Sequence, residues 1–307
     1  MEAIFCEKGL LAKTIDQFEF RPEQLKMAQA VETALKEEQY LIADAGTGTG
    51  KTLAYLIPSI LSGKKMIIST ATKNLQEQLY YKDIPLLQDI IPFKFRAAYM
   101  KGRSNYLCLH RFKRFKSQPS FQFKNDISHF EDICRWTHTT TTGDCSELDN
   151  LPDNYTTWGE ICSEANLCLG QKCPHFKECF ITLLKQKAQR ADILIVNHHL
   201  FFADLMLKVT GYGEVLPGHD AIIFDESHQV EEIATHYLGF TVSNYRLDEL
   251  LRDILRELKI GKHDLKAFNS LLENLERLYP VFFQSFLSSQ SRYRLRQEFL
   301  TPELATL

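Results

Sequence analysis

Four short apolar runs along the chain predict buried strands of a parallel β-sheet. They are YLIAD (40–44), KMIIST (65–70), DILIVN (192–197) and AIIFDE (221–226). Each run is rich in isoleucine, leucine or valine without strict alternation, which is typical of strands covered on both faces. Because most of these runs end in a polar residue, we expect the chemistry of the protein at the carboxyl edge of this sheet.

Helical patterns lie between the predicted strands. EQLKMAQAVETALKE (23–37) places Leu25, Ala28 and Val31 on one helix face, and NLQEQLYYKDI (74–84) follows the second strand. The alternation of strands and helices predicts an α/β fold with an open parallel sheet. In such folds, polar groups converge at the carboxyl ends of the strands.

Two regions depart from this pattern. Residues 101–185 are poor in strand signals, contain THTTTTGD (137–144) and hold most of the cysteines, so we interpret them as an insertion between two strands. From about residue 240 the chain is predicted to be helical. NYRLDELLRDILREL (244–258) and LKAFNSLLENLERL (265–278) carry leucines at helical spacing, which favours a packed core over an interface.

The composition is that of an ordinary globular protein. Hydrophobic residues make up 44% of the 307 positions and charged residues 24%. No apolar run approaches the roughly 18–20 residues that span a bilayer, and acidic residues near the N-terminus argue against a signal peptide. We therefore expect a cytoplasmic protein with no membrane partner. In that compartment, the eight cysteines are expected to serve metal binding, catalysis or packing rather than disulfides.

The net charge of −3 conceals a basic segment at residues 93–116 that contains no acidic residue. Phenylalanines and tyrosines are interspersed among its bases, which are Lys94, Arg96, Lys101, Arg103, Arg111, Lys113, Arg114 and Lys116. Such a strip suits a polyanion path, in which charges hold phosphates and rings stack on bases. A solvated helix face with ordinary core aromatics explains the same composition, and both interpretations stay open on local sequence alone.

The most specific motif is DAGTGTGKT (44–52), which lies between a predicted strand and the helix-like LAYLIPSIL. In that context, small residues let successive backbone N–H groups form an anion nest at a helix N-terminus. Lys51 is expected to reach the β- and γ-phosphates of a nucleotide, and the Thr52 hydroxyl to bind Mg²⁺. The nucleotide-binding residues predicted in this loop are Ala45, Gly46, Thr47, Gly48, Thr49, Gly50, Lys51 and Thr52.

IIFDESHQ (222–229) supplies the acidic partner of this loop. Its apolar residues predict a strand that delivers Asp225 and Glu226 to the carboxyl edge of the sheet. An aspartate there can hold the Mg²⁺ of the nucleotide, and the neighbouring glutamate can orient or deprotonate the attacking water. His228 is expected to link the nucleotide site to the rest of the protein by hydrogen bonding.

Several motifs together resemble one helicase family. DESH resembles the DEAH box, with Ser227 in place of alanine, and Ala45 fits the AxxGxGKT form of the P-loop in superfamily 2 translocases. IISTATKNLQEQL (67–79), FRPEQLKMAQAV (20–31) and ADILIVNHHLFFADL (191–205) are similar to further segments of the XPD-like iron–sulfur helicases. The resemblance covers about residues 15–240 and points to the bacterial DinG/YoaA branch, with a preference for its YoaA-like members.

This resemblance implies roles for residues outside the two nucleotide motifs. Arg21 and Gln24 correspond to the adenine side of the nucleotide site. DNA contacts are implied for two groups, one after the second strand and one in the basic segment: Thr70, Thr72, Asn74 and Gln78, then Lys101, Arg103, Tyr106, Arg111 and Arg114.

NLCLGQKCPHFKECF (166–180) concentrates three cysteines, whose spacing alone allows a zinc site, an iron–sulfur cluster or buried thiols. Zinc sites more often contain CxxC pairs, so the spacing disfavours zinc only mildly. The resemblance implies a 4Fe–4S cluster held by Cys108, Cys168, Cys173 and Cys179, with Cys162 as the rival of Cys108 for the fourth position.

The resemblance implies an ATP-dependent DNA helicase that requires ATP, Mg²⁺ and a 4Fe–4S cluster and moves 5′ to 3′ on single-stranded or forked DNA. A replicative polymerase accessory subunit is the implied protein partner. The expected architecture is a RecA-like motor lobe (1–100 and 186–240), an inserted cluster domain (101–185) and the truncated start of an arch-like helical domain (241–307). Without a QxxGRxxR-like segment, we expect the second motor lobe to be absent. A truncated module that binds nucleotide and DNA without unwinding is the alternative.

Overall fold

A computed structural model of the protein describes residues 1–15, 18–46, 48–121, 125–152, 155–239 and 243–260, with scattered helical positions between 270 and 283. The chain divides into two compact units, Met1–Leu238 and Gly239–Leu307. The first unit holds a parallel sheet with helices on both faces, and the second is helical where it is described.

The sheet has four strands, β1 (Met66–Thr70), β2 (Ala97–Tyr99), β3 (Ile193–Asn197) and β4 (Ala221–Phe224). Their spatial order is β2-β3-β1-β4, and every pair is parallel. Met66 aligns with Ile193 on one side and Ala221 on the other. All residues of β1 and β3 are buried, which explains their continuous apolar sequence. The strands predicted at 65–70, 192–197 and 221–226 are confirmed.

The strand predicted at YLIAD (40–44) is wrong. This segment is irregular in the structure, and Tyr40 and Ile42 are almost fully exposed. An apolar run becomes a strand only when a neighbouring strand pairs with its backbone. Among the described strands, β4 lies at the edge of the sheet and pairs only with β1, so none is hydrogen-bonded to 40–44. Conversely, β2 was missed because it has only three residues within the basic segment.

Helices cover the sheet and build the remaining parts of the chain. They are α1 (Glu2–Phe5), α2 (Leu10–Thr14), α3 (Pro22–Glu37), α4 (Lys51–Leu61), α5 (Lys73–Gln78), α6 (Ile84–Ile90), α7 (Leu109–Ser117), α8 (Asn125–Trp136), α9 (Thr156–Ile161), α10 (Phe180–Arg190), α11 (His198–Thr210), α12 (Val230–Leu238) and α13 (Asn244–Ile260). A π-helical turn, Leu79–Asp83, joins α5 to α6. The helices predicted at 23–37 and 244–258 are confirmed as α3 and α13.

Apolar side chains pack on both faces of the sheet. On one face, Leu56 and Ile57 of α4 and Val31 of α3 belong to a cluster with Met66 and Ile68 of β1. On the other face, Phe201 and Phe202 of α11 pack in a cluster with Ile67 of β1. Alternate residues of β1 therefore pack into two different hydrophobic clusters, as expected of a parallel sheet between helical layers.

Residues 100–192 connect the adjacent strands β2 and β3 and form a helical region with its own small core. Phe112 of α7, Ile133 and Trp136 of α8 and Ile161 of α9 pack in this cluster. Extended pairing within the described part of this region is limited to two isolated antiparallel bridges, Tyr106 with Asp144 and Leu107 with Cys162. These bridges tie the first residues of the region to its later segments.

The unit Gly239–Leu307 is described mainly through α13. Leu251 is buried, whereas Leu250 and Tyr245 are exposed, so the leucine stripe is only partly covered by the described residues. Most of the second helix predicted for this region, 265–278, falls outside the described residues. That this unit begins an arch-like domain stays a prediction.

Candidate functional site

The P-loop segment leads into the first turn of α4. Gly48 and Gly50 have φ angles of 79° and 76°, a left-handed conformation that glycine adopts without steric cost. Gly50 is the N-cap of α4, and Lys51 and Thr52 form its first turn. Thr49 Oγ1 donates to the Gly46 carbonyl oxygen at 3.0 Å, a hydrogen bond across the turn. Thr47 lies outside the described residues.

Two polar side chains from the N-terminal end of α3 donate hydrogen bonds to the P-loop. Gln24 is buried, and its Nε2 donates to the Gly50 carbonyl oxygen at 3.0 Å. Arg21, at the N-cap of α3, donates to the Gly48 carbonyl oxygen. Both residues predicted for the nucleotide site therefore contact the loop itself, and Ala45 lies half-buried at its start.

The DESH segment meets the P-loop at the carboxyl end of β4. Lys51 Nζ lies 3.5 Å from Glu226 Oε1, and the Tyr55 hydroxyl donates to Asp225 Oδ2 at 3.3 Å. Two motifs separated by more than 170 residues in sequence are thus brought together by the sheet. His228 Nδ1 lies 3.5 Å from Glu226 Oε2, and the His228 side chain is mostly exposed.

Burial is the largest influence on the pKa values of Asp225 and Tyr55. It raises the pKa of Asp225, and the neighbouring Glu226 charge raises it further, while Tyr55 and Lys51 oppose the shift. Burial, followed by the Asp225 charge, raises the pKa of Tyr55 well above its usual value. The Tyr55 hydroxyl therefore stays protonated at neutral pH and acts as a hydrogen-bond donor to the carboxylate.

Sequence reasoning missed a second buried contact at this edge. Ser69, near the end of β1, lies 2.7 Å from His198 Nδ1 at the start of α11. His198 is fully buried, its ring lies against Phe224 of β4, and its Nε2 has no hydrogen-bond partner among the described residues. The motif ADILIVNHHL contained this histidine, but only the pairing of β3, β1 and β4 reveals its neighbours.

The residues predicted to touch DNA after β1 differ in exposure. Thr70 is buried, and its hydroxyl donates to the Thr72 carbonyl oxygen at 3.1 Å. Thr72 caps α5 by accepting from the Leu75 N–H. Asn74 and Gln78 are exposed on α5 and are free to meet a ligand from solvent.

The basic segment divides into a buried and an exposed set. Lys101 and Tyr106 are buried, and the Arg111 guanidinium donates to the Cys162 and Gly159 carbonyl oxygens, each at 2.7 Å. Arg103 is half-buried, with Nη2 at 3.9 Å from Cys168 Sγ. By contrast, an exposed basic face of α7 consists of Lys113, Arg114 and Lys116. Of the five residues predicted here as DNA contacts, Arg114 is the most accessible.

The four predicted cluster ligands are free thiols with different surroundings. Cys168 is exposed, whereas Cys108, Cys173 and Cys179 are half-buried. Cys108 and Cys179 are the N-cap residues of α7 and α10. The rival Cys162 is buried, and burial raises the pKa of its thiol. Within the described part of the chain, no three histidine, cysteine or acidic side chains are grouped closely enough to hold a metal ion.

Comparison with known proteins extends these observations. Residues 24–111 match the DEAD/DEAH box helicase family. The ATP-dependent DNA helicase YoaA of Haemophilus influenzae is 42% identical over 279 residues, which cover 91% of this chain and 44% of that protein. YoaA of Escherichia coli is 36% identical over 300 residues, or 98% of this chain and 47% of that protein.

A more distant relative is DinG of Bacillus subtilis, named a 3′–5′ exonuclease, which is 32% identical over 94% of this chain and 32% of that protein. The chain spans about half the length of the two YoaA relatives. None of the helices in the described part of the chain combines the length and hydropathy of a membrane span. On the basis of these similarities and the matching helicase motifs, the chain belongs to the DinG/YoaA family of DNA helicases.

Proposed function

We propose that the chain is the ATP-binding lobe, with an inserted DNA-engaging region, of an ATP-dependent DNA helicase. The helicase to which this lobe belongs couples ATP hydrolysis to 5′-to-3′ movement along single-stranded DNA in the cytoplasm. The observation that supports this proposal best is the contact of Lys51 with Glu226, which joins the P-loop to the DESH segment. A phosphate-binding lysine beside paired carboxylates is the arrangement that nucleotide hydrolysis requires.

In this proposal each residue of the site has a separate role in nucleotide binding or hydrolysis. Backbone N–H groups of residues 46–52 receive the phosphates, and Lys51 exchanges its contact with Glu226 for the β- and γ-phosphates. Release from Lys51 leaves Glu226 free to orient or deprotonate the attacking water. His228 holds Glu226 from the other side.

The residues at the end of β4 and the start of α4 also suit Mg²⁺. The carboxylate of Asp225 is half-buried and accepts one hydrogen bond from Tyr55, which leaves oxygen lone pairs for a cation. Asp225 and the Thr52 hydroxyl are the proposed Mg²⁺ ligands. When bound, the ion neutralises charge on the phosphate oxygens.

We further propose that single-stranded or forked DNA follows the exposed polar residues of α5 and the basic face of α7. Asn74 and Gln78 supply hydrogen bonds, and Arg114 with its exposed neighbours Lys113 and Lys116 supplies positive charge. Thr70, Lys101, Tyr106 and Arg111 are buried or already hydrogen-bonded, so we assign them to supporting this path.

The insertion is the proposed 4Fe–4S domain, with Cys108, Cys168, Cys173 and Cys179 as ligands. The chemistry of the donor set supports this assignment, because all four are free thiols and thiolates are the usual ligands of such clusters. Cluster binding would have to draw together thiols that the structure leaves apart. When bound, the cluster would cross-link the start of α7 to the segment before α10 and fix the basic face of α7. Residues 241–307 are the proposed start of an arch-like domain, and a polymerase accessory subunit is the proposed partner, to which we assign no surface.

Nucleotide binding by this chain tests the proposal. We expect Lys51→Ala to weaken binding of a fluorescent ATP analogue in the presence of Mg²⁺ by about tenfold or more, because a charge-assisted phosphate contact is lost. Lys26→Ala, at an exposed position of α3, is the matched control and should bind as the wild-type chain does. Equal binding by wild type and Lys51→Ala would overturn the assignment.

A second measurement separates the helicase from a binding module without turnover. DNA-stimulated phosphate release is compared between the wild-type chain and Lys51→Ala. We expect weak or no turnover from this chain, because arginines that stabilise the transferring phosphate come from a second lobe in motors of this kind. Robust unwinding by the 307-residue chain would contradict this expectation.

A further inference from the structure

Lys101 is a buried cation that the proposed function leaves without a direct role. Its side chain is 1% exposed, and all three of its ammonium donors are used. They reach Glu77 Oε1 at 2.6 Å, Asp144 Oδ2 at 2.8 Å and Ser146 Oγ at 2.8 Å. A buried ammonium with three short contacts is fully satisfied and does not need a phosphate.

The partners of Lys101 come from two different parts of the chain. Glu77 belongs to α5, directly before the exposed Gln78. Asp144 and Ser146 belong to the region between β2 and β3, where Asp144 also forms a bridge with Tyr106. Lys101 therefore joins the helix that carries the proposed DNA contacts to the inserted region.

Aromatic hydroxyls complete this polar cluster. The Tyr99 hydroxyl donates to Asp144 Oδ2 at 2.9 Å, and the Lys101 N–H donates to the Tyr106 hydroxyl at 3.0 Å. Burial alone would lower the pKa of Lys101, but its hydrogen bonds to Asp144 and Glu77 outweigh burial and raise it. The ammonium is therefore charged at neutral pH and balances the buried Asp144.

A second contact follows the same route. Lys73 Nζ, at the start of α5, donates to Asn105 Oδ1 at 2.7 Å. Asn105 in turn donates to the Gly102 carbonyl oxygen at 2.8 Å. Both ends of α5 are thus tied to the segment that begins the inserted region, one through Lys73 and one through Glu77.

We propose that Lys101 is a positioning residue that holds α5 against the inserted region through Glu77, so that both surfaces engage one DNA strand together. This inference rests on the proposed DNA path, but the tie itself can be tested without DNA. When two surfaces are already fixed in one orientation, no conformational entropy is lost in aligning them as the ligand binds, so affinity is higher.

Glu77→Ala is the most specific test, because it removes only the contact between Lys101 and α5. Glu77 is one-third exposed, and the buried pair of Lys101 and Asp144 remains intact. Loss of a carboxylate near a polyanion should raise DNA affinity by simple electrostatics. We expect the opposite, a loss of about threefold or more in affinity for a single-stranded oligonucleotide, measured by fluorescence anisotropy.

Two variants complete this experiment. Glu32→Ala, an exposed acid-to-alanine change on α3, is the matched control and should leave affinity unchanged or slightly higher. Asn74→Ala should cost less affinity in the Glu77→Ala background than in the wild-type chain, because α5 is already displaced. Higher affinity of Glu77→Ala, or strictly additive losses, would overturn the positioning role.

Hydrogen exchange tests the tie in the absence of DNA. In Glu77→Ala, amides of α5 should exchange faster, while amides of β3 keep their wild-type protection. Unchanged exchange in α5 would overturn the tie. If the wild-type chain binds no single-stranded DNA, the proposed function fails, and the exchange measurement still decides whether Lys101 holds α5.

Discussion

At the residue scale, a few side chains impose the geometry of the carboxyl edge of the sheet. A Cβ on Gly50 would lie 2.1 Å from Gln24 Nε2, so the contact that holds the P-loop to α3 requires glycine there. Glu226 has a φ of 55°, which costs a non-glycine residue about 1 kcal/mol or more. Glu226 also contacts Lys51, so the strain lies at the proposed catalytic base.

His198 makes the stability of the protein depend on pH. Burial lowers its pKa, so the folded chain keeps it neutral when the unfolded chain takes up a proton below about pH 6.5. Stability is therefore lost as the pH falls below that value. We expect His198→Asn to reduce the slope of unfolding free energy against pH between 6.5 and 5 by up to about 1.4 kcal/mol per unit.

An exposed histidine of the inserted region provides the control for this prediction. His138→Asn should keep the wild-type slope in denaturant unfolding followed at several pH values. Because the comparison concerns slopes, a general loss of stability in His198→Asn does not obscure it. An unchanged slope in His198→Asn would show that the buried ring does not control the acid sensitivity.

At the element scale, burial and pairing decide which apolar runs become strands. β1 and β3 are buried along their whole length and pair with neighbours, whereas 40–44 has a similar sequence pattern and is exposed. The difference lies in the partner strand and not in the residues of the run. Helical periodicity was therefore sufficient for α3 and an apolar run was sufficient for β1, β3 and β4, but the same kind of run was insufficient for 40–44.

Backbone exchange distinguishes these two kinds of apolar run. Amides of residues 40–44 should exchange with deuterium much faster than amides of β1, because solvent reaches them and none of the described strands pairs with them. Peptides spanning β1 and β3 serve as the protected reference in the same digest. Equal protection of 40–44 and β1 would mean that the segment pairs as a strand in solution.

At the scale of the whole molecule, the inserted region (residues 100–192) is attached to the sheet through two adjacent strands. It leaves the sheet after β2, carries the basic face of α7 and returns as β3, the adjacent strand. The contacts of Lys101 with Glu77 and of Lys73 with Asn105 connect it to α5, and its two isolated bridges tie its first residues to its later segments. The proposed cluster would add a covalent link within the same region.

The proposed cluster has a direct spectroscopic signature. We expect the purified chain to be brown and to absorb at about 400 nm, and Cys173→Ser to lose this absorbance because one thiolate ligand is removed. Cys6→Ser, at the end of α1 and outside the proposed ligand set, should keep it. A colourless chain that contains stoichiometric zinc would contradict the iron–sulfur assignment.

The sequence by itself determined the motifs and the class of fold. The P-loop before α4 and DESH after β4 could be predicted, because local backbone preference and phosphate chemistry restrict which residues work there. The helices α3 and α13 followed from apolar periodicity in the same way. Family membership also needed no tertiary information beyond these segments.

Only the tertiary structure decided which side chains meet and which remain in solvent. Lys101 and Arg114 have similar sequence surroundings, yet one is buried against Asp144 and the other is exposed on α7. His198 gained Ser69 as a partner only through the pairing of β3 with β1. The physical reason is that burial and hydrogen bonding depend on contacts between distant segments, which local sequence patterns do not contain.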